Sequence, residues 1–134
     1  MIKGNFSKYA LIVLVFTSSI YYSCEEILFI PDISKESVTL IGPSDSVKVL
    51  VGNINFNWEH LEDAEAYKIQ IATPNFTAVQ QVVLDSLLPI TLDTLQPITK
   101  ITKGLDVGIY QWRVKAINAG YETNYTMHNL TVIE

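Results

Sequence analysis

Cysteine occurs once in the 134 residues, so no internal disulfide can staple this chain. Its stability has to come from a packed core. Positive charge is scarce as well, with nine Lys and Arg against fourteen Asp and Glu and a formal net charge of -5. An acidic chain repels phosphate backbones, and nucleic acid is not an expected partner. Long apolar runs are missing too. The longest near the start, residues 9–16, falls well short of the roughly 20 apolar residues a membrane-spanning helix needs. There is no glycine-rich phosphate loop, no HExxH pair and no Ser, His and acid set, so neither catalysis nor a cofactor is expected. With 49% hydrophobic and 17% charged residues, the length suits one ordinary core.

What is present begins with an N-terminus in three steps. Lys3 and Lys8 precede the apolar run, which gives way to Thr17, Ser18 and Ser19 and then to Ser23 and Cys24. That layout is a secretory signal peptide, expected over 1–23. Removing it takes Lys3 and Lys8 and leaves Lys35, Lys48, Lys68, Lys100, Lys103, Arg113 and Lys115 against all fourteen acids. These seven are dispersed in sequence and read as solubilising. A lone cysteine just past the apolar run, preceded by Ser23, resembles the lipobox of bacterial lipoproteins, although Tyr21 and Tyr22 stand where Leu and a small residue are usual. The resemblance implies that the Cys24 thiol is diacylated, that the chain is cut before it, and that 24–37 is a lipidated tether to the outer membrane. Two acyl chains give stable anchoring where one does not. Glu25 and Glu26 resemble the acidic signal by which Bacteroidetes place lipoproteins on the cell surface, so a surface or periplasm-facing orientation is expected.

Beyond the tether the pattern turns to β. Ile54, Phe56 and Trp58 alternate with Asn53, Asn55 and Asn57, and Tyr67, Ile69 and Ile71 alternate with Lys68 and Gln70. Period two with large apolar residues on one side marks half-buried strands. The clearest is Tyr110, Trp112, Val114 and Ala116 against Gln111, Arg113 and Lys115. Shorter runs at 38–41, 79–84 and 125–133, with a weak one at 90–101, are separated by Gly, Pro and Asn turn signals, and Asp85 and Ser86 are expected to close the 79–84 run. About seven short strands predict an all-β sandwich over 38–134.

Within that span, Trp58, Ala64, Ala66 and Tyr67, together with "LDVGIYQWRVKAINAG" from Leu105 to Gly120, resemble fibronectin type III domains, an immunoglobulin-like fold. The resemblance implies a core Trp at position 58 and a tyrosine corner formed by Leu105, Gly108 and Tyr110. Gly108 would let the chain turn where a side chain crowds it. The Tyr110 hydroxyl would bond back to backbone between Gly104 and Asp106.

Three further groups are candidates. Glu59, His60, Glu62, Asp63 and Glu65 are the densest polar cluster; carboxylates and imidazole are cation ligands, but the spacing fits no known loop and a solvated loop is expected, with no metal. Phe76, Tyr121 and Tyr125 fall near turns, where exposed aromatics anchor partners. They support two expectations: a non-catalytic protein-interaction module, or a glycan-binding accessory of an outer-membrane carbohydrate uptake system. Asp45-Ser46-Val47, Asp85-Ser86-Leu87 and Asp93-Thr94-Leu95 resemble the short acceptor tripeptide of Bacteroidetes O-glycosylation.

Overall fold

The computed structural model describes residues 26–90 and 99–134; the expected signal segment, Cys24 and the 93–95 tripeptide lie outside them. The alternating segments form strands. In order they are β1 Leu40–Gly42, β2 Val47–Leu50, β3 Gly52–Trp58, β4 Ala66–Thr73, β5 Gln81–Pro89, β6 Lys100–Leu105, β7 Gly108–Ile117 and β8 Thr126–Ile133. One sheet runs β1-β3-β6 and the other β2-β8-β7-β4-β5. Their apolar faces meet as an all-β sandwich, and no helix occurs among the described residues.

The packing follows the period-two pattern. Ile54, Phe56 and Trp58 of β3 face Tyr67, Ile69 and Ile71 of β4 and Tyr110, Trp112, Val114 and Ala116 of β7, all buried. Two aromatic pairs join the sheets edge to face. Phe56 meets Trp112 at 5.1 Å between ring centroids, and Trp58 meets Tyr67 at 5.6 Å. Such pairs add roughly 0.5 to 1.5 kcal/mol each beyond the area they bury. The indole N–H groups of Trp58 and Trp112 are buried without an acceptor among the described residues, so part of that gain is offset.

The weak run expected at 90–101 meets β6 only at Lys100 and Ile101, and three other features also differ from the sequence expectation. The described residues hold eight strands where about seven were expected, because Val47 and Val49 turn inward and pair β2 parallel with β8. The chain reaches β2 by leaving the first sheet after β1. The crossing is pinned to β8 by Ser46 N–H on Asn129 O at 2.7 Å and by the Asn129 N–H on Asp45 Oδ1 at 2.8 Å. That backbone bond holds the Asp45 carboxyl below its usual pKa. Second, β5 continues through Asp85 and Ser86 to Pro89. Asp85 does not end it because its carboxylate points outward, taking Gln70 Nε2–H at 3.1 Å and Lys68 Nζ at 3.4 Å. Third, the expected tether is not free along its length. Ile33, 3% exposed, belongs to the core.

Gly52, with φ +131°, takes the chain out of β2 and into the opposite sheet, a conformation that L side chains rarely adopt. The central element remains β7, flanked by β8 and β4. Trp112→Ala should therefore cost about 3 to 5 kcal/mol, read from the urea midpoint. An unchanged midpoint would mean that Trp112 is not a core residue.

Candidate functional site

Leu105 is buried at the end of β6, and the chain turns through Asp106 and Val107 into β7. The Tyr110 hydroxyl reaches back and donates to Asp106 O at 3.0 Å. Burial, with the nearby Asp106 charge, raises the phenol's pKa. Gly108 plays a different part from the one expected. It has no positive φ, and a Cβ built on it would lie at 3.4 to 3.6 Å from the Tyr110 ring, an ordinary contact. Crowding is therefore not what places glycine there. The corner is structural: it ties a turn to the core.

At the opposite end of β7, Asn118 gathers three segments. Its Nδ2 donates to Pro31 O at 2.8 Å and, more weakly, to Asp63 O at 3.4 Å, while its Oδ1 accepts the N–H groups of Gly120 and Tyr121. Tether, β3–β4 loop and β7–β8 turn thus meet on one buried amide. Nothing in the sequence distinguished this Asn from any other turn residue. The polar cluster of Glu59, His60, Glu62, Asp63 and Glu65 sits here and divides. The Tyr67 hydroxyl accepts Leu61 N–H at 2.8 Å and shares a 2.9 Å bond with His60 Nδ1, so the imidazole is engaged in holding the loop. Asp32, Glu36, Glu62 and Asp63 line a cavity of about 340 Å³. The Asp32 carboxyl is held low in pKa by the Ser34 hydroxyl and backbone N–H. No set of three or more His, Cys, Asp or Glu is placed to hold a metal among the described residues.

The aromatic trio also divides. Phe76, after β4, and Tyr125, before β8, close on Arg113 from two sides, with its guanidinium carbon 3.8 Å and 4.1 Å from their ring centroids. Gln70 Oε1 accepts both Nε–H at 2.9 Å and Nη2–H at 2.7 Å, which fixes the plane of the fork. Tyr121 is exposed at the Asn118 end and takes no part in this stack. Both rings are half-buried and give a face to the guanidinium.

The cations that look dispersed in sequence come together through register. Lys68 lies opposite Lys115, and Gln70 opposite Arg113, all on the outer face of the five-stranded sheet. Asp85 and Glu122 neutralise the two lysines, at 3.4 Å and 2.7 Å, whereas Arg113 has no carboxylate partner among the described residues. Of the three acceptor-like tripeptides, Ser46 is exposed in a turn with φ 60°, whereas Ser86 lies within β5. The chain matches no protein-family model and no curated protein.

Two substitutions test these arrangements. Tyr110→Phe removes only the corner hydrogen bond and should cost about 0.5 to 1.5 kcal/mol, rising towards about 3 if Asp106 O is left buried without a donor. A neutral result would reduce the corner to ring packing. Arg113→Lys keeps the charge but loses the planar fork between two rings. A loss of about 1 to 2 kcal/mol is expected by denaturant titration. An unaltered midpoint would show that the stack contributes nothing to the fold.

Proposed function

We propose that this chain is a membrane-anchored extracytoplasmic lipoprotein, held to the outer membrane through Cys24, whose fibronectin type III-like domain is a non-catalytic protein-interaction module. The domain reading is supported by the sheet orders β1-β3-β6 and β2-β8-β7-β4-β5, by β2 lying parallel to β8, and by the hydroxyl-to-backbone bond of Tyr110.

The observation that carries the interaction reading is a group of exposed aliphatic side chains at the corner end of the five-stranded sheet. Leu50 registers with Ile133, and Ile109 with Thr131 one step away, while Val107 precedes the start of β7. Leu50, Val107, Ile109 and Ile133 are all exposed. Exposed aliphatic side chains grouped in this way favour docking of another protein. No observation favours the glycan reading, because the Phe76 and Tyr125 rings are packed on Arg113 and not assembled with Tyr121 into an open stacking platform.

Anchoring is tested by detergent partition. The wild-type chain should enter the detergent phase of Triton X-114, and Cys24→Ala should give an uncut precursor or a water-phase species. Equal partition of the two would remove the anchor. The docking patch is tested by a photo-crosslinking residue at position 109, which should capture a protein in the producing cells. The same label at position 100, on the other sheet, should not; equal capture at both positions would discard the patch.

A further inference from the structure

Three consecutive large apolar residues, Ile27, Leu28 and Phe29, are 92%, 79% and 84% exposed, and none joins the core. The chain changes state at the next residue. Ile30 packs against Gly120, close enough that a Cβ built there would lie 3.2 Å from Ile30 Cγ2. Pro31 O is bound by Asn118, and Ile33 is buried. The tether is therefore fastened to the domain from Ile30 onward, at the end of β7 that carries the β3–β4 loop and the β7–β8 turn.

Chain length then sets the geometry. Six residues from Cys24 to Ile30 span at most about 20 Å when fully extended. β7 carries the corner end of the domain about 30 Å away from the fastened end. A bilayer holding Cys24 thus lies within about 20 Å of Ile30 at the Asn118 end, and Ile109 is held away from it when β7 stands upright on the membrane. Apolar side chains placed a few residues from two acyl chains meet the headgroup boundary, where Phe, Leu and Ile are favoured.

We infer that Ile27, Leu28 and Phe29 insert into the lipid interface beside the Cys24 acyl chains, so that the Asn118 end faces the membrane and the Leu50, Ile109 and Ile133 patch faces away. This rests on the acylation of Cys24 proposed above. The bound surface is lipid, recognised by burial of apolar area and not by headgroup charge. Glu26, adjacent to the run, would disfavour an anionic surface. The consequence is that a tether of this length presents the apolar patch outward to a partner.

The test uses the full chain expressed in a lipoprotein-exporting bacterium, extracted in detergent and reconstituted into phosphatidylcholine vesicles with brominated acyl chains. Trp58 and Trp112 are fully buried and out of reach of bromine, so they serve as an internal reference. Phe29→Trp should add emission that the brominated lipid quenches by at least about half, and Ile27→Ser with Leu28→Ser on that background should abolish the quenching. With a dansyl-headgroup lipid, energy transfer should be strong from Tyr121→Trp and weak from Ile109→Trp. Intact mass separates the two claims. An acylated chain with unquenched Trp emission overturns the insertion and leaves the anchor standing, whereas an uncut, unacylated chain overturns the anchor and the insertion with it. Equal transfer from positions 121 and 109 overturns the orientation.

Discussion

The packing of Trp112 against Phe56 is the contact on which the other features depend. Trp112 lies in the middle of β7, the middle strand of the larger sheet, and also meets His128 of β8 edge-on at 5.8 Å. Locking this ring inward fixes the phase of the whole strand. With a side-chain period of two, Gln111, Arg113 and Lys115 must then point outward. The Arg113 stack and the cation row are thus a consequence of core packing. His128 extends the same constraint to the crossing between sheets, since its Nδ1–H donates to Pro43 O at 3.1 Å.

The two ends of the sandwich are built by different means. At one, a phenol donates to the backbone of its own turn, a local bond across four residues. At the other, Asn118 joins segments 87 and 55 residues away in sequence. An amide suits that task because it offers donors and an acceptor at once, so a buried side chain can be satisfied by three separate backbones. The first end leaves aliphatic side chains exposed, and at the second the segment from Ile30 onward is fastened to the domain. This asymmetry gives the domain a direction, which a symmetric sandwich would lack.

Charge adds to that direction. The molecule is acidic overall, yet the outer face of the five-stranded sheet carries Lys68, Arg113 and Lys115 together. Surface ion pairs such as Lys68–Asp85 and Lys115–Glu122 contribute little stability singly. Arg113 is different because two rings lie against its guanidinium and Gln70 holds it in plane. The rings of the stack are engaged in packing.

The sequence by itself determined the strands that bury one face, because alternation is a local property: Phe56, Trp58, Tyr67, Tyr110 and Trp112 had only one side on which to be buried together. The expectation of a signal segment ending at Cys24 likewise rests on order along the chain and not on folding. The sequence was silent on β2, where two valines beside a lysine are too short a pattern to count, and it misplaced the end of β5, where Asp85 reads as a stop until Lys68 and Gln70 are set opposite it. Only the tertiary structure decided which side chains meet. Phe76 and Tyr125, 49 positions apart, share one guanidinium while Tyr121 stands aside, and Ile30 finds Gly120 across the domain. Those contacts come from strand register and sheet order, which are set by the whole core and are written in no single stretch of residues.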